Sequence, residues 1–116
     1  MKSPEIQHYW CTEIEDLDHW QPADPEYVDL WFSVAIGIEG ESENGADNFL
    51  VHLVTQKQLS QIEEKEYLLV IPFYISWSEV MDALKTSIAE CKDINWRGMS
   101  LQLEKLYHWE YHNFRR

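Results

Sequence analysis

The sequence predicts an α+β fold: a mostly antiparallel sheet of about five strands with two main helices packed on one side. Three observations carry that expectation. Residues 27–39 alternate with a period of two, Val28, Leu30, Phe32, Val34, Ile36 and Ile38 against Asp29, Trp31, Ser33, Ala35 and Gly37. Residues 77–91 change to helical spacing, with Trp77, Val80, Met81, Leu84, Ile88 and Cys91 on one stripe. The order of elements, four strands, two helices and a closing strand, lacks the alternation that a doubly wound sheet requires.

Each element has its own signal. Residues 5–17 open with aromatic and β-branched side chains, and Ile6, His8, Trp10, Thr12 and Ile14 would share one face of a strand. Residues 16–26 hold Pro22, Pro25 and four acids and read as a loop. After the long strand at 27–39, Gly40 to Gly45 form a turn-rich connector with Asn44-Gly45 at its end. Residues 49–55 then return antiparallel as a hairpin partner. A helical turn is expected around Leu59 and Ile62. Residues 67–71, Tyr-Leu-Leu-Val-Ile before Pro72, suggest an inner strand buried on both faces. Ser76-Trp77-Ser78-Glu79 fits a capping box at the start of the first helix. A second helix is expected at about 96–106 with Met99, Leu103 and Leu106 inward, Gly98 being mildly unfavourable there. Alternating aromatics from Tyr107 to Phe114 suggest a last short strand.

At 116 residues, residues 1–116 make one domain, and a content of 45% hydrophobic and 14% aromatic residues is ample for a core. No apolar run approaches the roughly 18 residues of a membrane span. The opening Met1-Lys2-Ser3-Pro4-Glu5 lacks the apolar stretch of a signal peptide, so a cytoplasmic location is expected. Cys11 and Cys91 stand in no Cys-x-x-Cys pattern and read as two buried, reduced thiols.

Net charge is −12, and it is lopsided. Residues 1–55 hold twelve acids and one base, Lys2, whereas residues 56–116 hold nine acids and eight bases. Such a surface repels nucleic acid and anionic lipid and attracts basic partners. Solubility alone does not require one-sided charge.

Motifs for chemistry are weak or missing. Four glycines form no phosphate-binding loop, and neither His-Glu-x-x-His nor Cys-x-x-Cys occurs. His108, Glu110 and His112 could share a face and hold a metal for a small hydrolase, but the aromatic residues around them favour a packed closing segment. His8, His19 and His52 have no identifiable partners in the sequence. No catalytic, cofactor-binding or metal residue is assigned, and no cofactor is expected. What remains is an acidic, aromatic-rich surface. Trp20, among Asp18, Asp24 and Glu26, is either an exposed interface anchor or folded back to cap the sheet. The candidate partner-binding residues are Asp16, Asp18, Trp20, Asp24, Glu26, Glu39, Glu41, Glu43 and Asp47.

Across roughly residues 27–114 the chain resembles the immunity protein 8 family of bacterial polymorphic toxin systems. The resemblance lies in Ile36-Gly37, in Gly45-Ala46-Asp47-Asn48-Phe49, and in Val54-Thr55 with Leu59 soon after. It continues through the apolar strand Leu68 to Ile71, Asn95-Trp96 at the start of the last helix, and the closing Trp109-Glu110-Tyr111. Tyr111 stands where the family pattern has Phe, and His112-Asn113-Phe114 replaces an acidic-aromatic ending. The resemblance implies neutralisation of a co-encoded toxin, as in contact-dependent growth inhibition, with no enzymatic activity of the chain's own. The charge independently favours a nuclease toxin whose basic active-site cleft an acidic surface would occlude. The expected partner is a cognate toxin C-terminal domain, bound one-to-one, with no nucleic acid, membrane or small-molecule substrate. An acidic adaptor or nucleic-acid mimic that binds a basic host protein is the alternative.

Overall fold

The computed structural model of the chain describes residues 1–41 and 45–111. Strands β2 (Asp29–Ile38) and β3 (Asp47–Thr55) form the expected hairpin, antiparallel from Asp29↔Val54 to Ile36↔Asp47. The period of two does what it predicts. Leu30, Phe32, Val34, Ile36 and Ile38 of β2 meet Phe49, Val51 and Leu53 of β3 in the buried core. Strand β1 (Pro4–Trp10) pairs antiparallel with the outer edge of β2, but its register shifts between Ile6 and His8. The irregularity at Gln7 sends Ile6 and Tyr9 against the core and leaves His8 and Trp10 on the opposite face. The single stripe expected for Ile6, His8, Trp10, Thr12 and Ile14 is therefore divided, and the strand ends at Trp10.

The other edge of β3 carries two short strands in tandem. β4 (Leu68–Ile71) pairs parallel with residues 52–55. Residues 56–67, including a 3-10 turn at Gln58–Gln61, bring the chain back to make that parallel pairing. The β4 segment is an edge strand. Leu69 and Ile71 are buried, while Val70 is 40% exposed, so the expectation of burial on both faces does not hold. The final strand β5 (His108–Trp109) pairs antiparallel with Phe49 and Leu50.

Two helices cover one face of this sheet. Helix α1 (Trp77–Ile88) begins where Ser76 Oγ accepts from the Glu79 amide at 3.3 Å, and it buries Trp77, Val80, Met81, Leu84 and Ile88. Helix α2 (Trp96–Leu106) begins where Asn95 Oδ1 accepts from the Gly98 amide at 2.9 Å. It buries Met99, Ser100 and Leu103, whereas Leu106, expected inward, is 37% exposed. Tyr107, just past the helix end, is buried instead, and its hydroxyl lies 2.6 Å from Ser87 Oγ of α1. Burial pushes the Tyr107 phenol above its ordinary range, against the opposing effect of the Ser87 hydrogen bond.

Both thiols are free. Cys91 is buried, and its thiol is pushed up by burial and by nearby Glu90. Cys11, expected to be buried, is half-exposed near the Trp31 carbonyl. Among the described residues, no helix is long and apolar enough to cross a membrane.

Candidate functional site

The acidic loop before β2 is anchored from within. Asp16 caps a 3-10 turn at Leu17–His19, its Oδ1 accepting from the His19 amide at 3.3 Å and its Oδ2 lying 2.9 Å from His19 Nδ1. Leu17 plugs the core. Asp18 Oδ1 accepts from the Tyr9 hydroxyl at 2.5 Å, a contact that raises the Tyr9 phenol above its ordinary range. Asp24 Oδ1 accepts from the Glu26 amide at 3.0 Å, and Glu26 pairs with Lys57 at 2.6 Å. Behind them, Thr55 Oγ1 donates to the Glu26 carbonyl at 2.7 Å and accepts from the Val28 amide at 3.0 Å. Asp16, Asp18, Asp24 and Glu26 all remain exposed, so their field faces solvent.

Trp20 folds back against the core and keeps part of its surface in solvent. It is half-buried, with its ring edge-on to Tyr74 at 5.0 Å and its carbonyl accepting from the Tyr74 hydroxyl at 3.1 Å. It ties the acidic loop to the segment between β4 and α1.

The second group of candidate acids occupies the far end of β2. Glu39 is exposed, with its amide on the Ser3 carbonyl, and Glu41 pairs with Lys2 at 2.8 Å. Asp47 Oδ2 accepts from the indole nitrogens of both Trp96 and Trp109, at 3.0 and 3.1 Å. Glu110 reaches the same corner, accepting from Asn48 through both carboxylate oxygens. Glu43 lies outside the described residues. The ten-residue strand Asp29–Ile38 separates the two groups, a span of about 30 Å at strand rise. The candidate acids thus form two patches at opposite ends of β2.

Between those patches lies a surface the sequence reading did not single out. With both helices on one side, the opposite face of the sheet carries aromatic and histidine side chains in cross-strand rows. Trp10, Ser33, Leu50 and His108 make one row, and Trp31, His52 and Leu68 the next. Trp31 is 42% exposed and Leu50 39%. The Trp31 ring stacks on His52 at 4.3 Å and 14°, His52 Nε2 lies 2.5 Å from Asp29 Oδ1, and His8 stacks on Trp10 at 5.5 Å. At the β4–β5 side, Trp31, Leu50, Glu64, Glu66, Tyr67 and His108 line an open groove of about 470 Å³. The signal for this face was present in Trp31, a large aromatic on the side of β2 turned away from the apolar stripe.

Among the described residues, no group of three or more His, Cys, Asp or Glu side chains is placed to hold a metal ion. His108 sits edge-on to Tyr67 at 5.1 Å and Glu110 is turned to Asn48; His112, the third residue of the weighed hydrolase cluster, lies outside the described residues. What the arrangement offers is recognition: exposed carboxylates at both ends of a sheet face rich in aromatic rings.

A family model described as Immunity protein 8 matches residues 4–114. No curated protein and no solved structure matches the chain.

Proposed function

The chain belongs to the immunity protein 8 family, which makes it an immunity protein against a toxin, and on that premise we propose how it acts. It binds the C-terminal domain of its cognate toxin one-to-one and performs no chemistry of its own. The toxin is a nuclease with a basic active-site cleft, and an acidic surface of the immunity protein occludes that cleft. The family match over residues 4–114 carries the immunity part of the reading. The exposed carboxylates of Asp16, Asp18, Asp24 and Glu26 support its electrostatic part, because like-signed charge in one region steers a basic partner and repels nucleic acid.

Co-expression with the toxin domain encoded beside it is the test, scored by growth and by co-purification at low and high salt. Rescue with a stable one-to-one complex is expected, and salt should slow association. Reversing the charge at Asp16, Asp18, Asp24 and Glu26 should lower the association rate by about tenfold or more. Unchanged association would remove the loop from the encounter surface. Absence of both rescue and complex would favour an acidic adaptor for a basic host protein.

A further inference from the structure

Resting on the immunity reading and deepening it, we propose that the groove between Trp31 and Tyr67 receives an arginine or lysine side chain of the toxin. The groove is open to solvent, measures about 470 Å³, and is lined by aromatic residues together with two acidic ones, Glu64 and Glu66. An aromatic face attracts a cation through its quadrupole, and a nearby carboxylate adds charge and hydrogen bonding. Among the described residues no lysine or arginine lines it. Lys65, between the two acids, turns its ammonium onto the Ile62 carbonyl. Among the described residues, then, no cation of the chain neutralises the acids of the wall, and a partner's cation complements them. His52 backs one face of the Trp31 indole, fixing the ring while the residue stays 42% exposed.

A second observation comes from the backbone. Tyr67 holds a left-handed φ of 61°, a conformation that a bulky residue adopts only under constraint. Its carbonyl accepts from the His52 amide at 2.9 Å, and its ring meets His108 edge-on. Glycine or asparagine would sit there with less strain. Backbone strain of this kind persists where the surrounding structure enforces it, and it gathers at functional sites. Here it presents a phenol ring to the groove.

The test combines two variants with two readouts. Tyr67→Asn removes the ring but tolerates the left-handed backbone, so its thermal midpoint should be unchanged or raised. With the catalytically inactivated toxin domain, it should speed dissociation by about tenfold, as should Trp31→Ala. A complex whose dissociation ignores both substitutions overturns the groove and leaves the immunity reading standing. A toxin-free titration with N-acetyl-arginine methylamide, followed by NMR, separates the two ideas from the other side. Shifts confined to Trp31, Tyr67 and His108, and lost in Tyr67→Asn, support the cation site even where the chosen toxin fails to bind. In that case the immunity pairing is what fails. Shifts spread evenly over the surface carboxylates overturn the site. Residues 112–116 include Arg115 and Arg116; tighter probe binding after their deletion would assign the groove to the chain's own terminus and overturn the toxin as occupant.

Discussion

Oδ2 of Asp47 accepts from Trp96 Nε1 and Trp109 Nε1, across sequence separations of 49 and 62 residues. One side chain at the start of β3 therefore ties down the first residue of α2 and the closing strand. Removing it takes the shared acceptor from the indoles of half-buried Trp96 and buried Trp109, at about 1–3 kcal/mol each. Asp47→Ala should lower unfolding stability by about 2–4 kcal/mol, whereas Asp47→Asn, which keeps a carbonyl oxygen, should lose about half as much. Urea denaturation at unchanged m-value measures both, and a loss in the alanine variant below about 0.5 kcal/mol would show that the clasp is not stabilising. Asp47 entered the candidate partner surface because the sequence counts acids. It does not reveal which carboxylate oxygens are already taken by distant indoles. Trp20 was undecided for the same reason, since its partner Tyr74 is 54 residues away.

At the scale of elements, legibility followed how local the cause was. β2 and α1 were readable because their periods and the Ser76 cap lie within a few residues. The irregularity in β1 and the edge position of β4 were not, because pairing partners decide both. Four of the segments that carry the family resemblance converge on one corner, while Val54-Thr55 and Leu68 to Ile71 pair at the other end of β3. Gly37 lets the Gly45 carbonyl approach, Asp47 holds Trp96 and Trp109, and Asn48 meets Glu110. These contacts are internal, so this part of the resemblance maps onto a fold-holding clasp, and the groove residues Leu50 and His108 follow it in the same β3–β5 pairing. Gly37 supplies a sharp check. A Cβ there would lie 2.5 Å from Gln7 Nε2 and 2.8 Å from the Gly45 carbonyl oxygen. Replacing glycine by alanine within a strand ordinarily helps by about 0.5–1 kcal/mol. Gly37→Ala should instead destabilise by about 1–3 kcal/mol, since backbone on the far side must move. A thermal midpoint equal to or above that of the parent would refute the close-approach argument.

For the whole molecule, charge acts with opposite signs on folding and on capture. A net charge of −12, with twelve acids against one base in residues 1–55, repels itself in the compact state. The ion pairs Lys2–Glu41, half-exposed, and Lys57–Glu26, exposed, offset little of that repulsion. Salt shortens the reach of these forces from about 30 Å at 0.01 M to about 8 Å at 0.15 M. Raising sodium chloride over that range should therefore stabilise the free protein by about 1 kcal/mol, a rise of about 4 °C in the thermal midpoint. The same salt should slow association with a basic toxin domain, because the field that strains the fold is the field that steers the partner. Calorimetry and stopped-flow mixing across one salt series read both effects. A midpoint that falls with salt would mean that the ion pairs outweigh the self-repulsion. A midpoint that rises while association stays flat would show that the carboxylates of residues 1–55 do not steer the encounter, leaving short-range contact to carry binding.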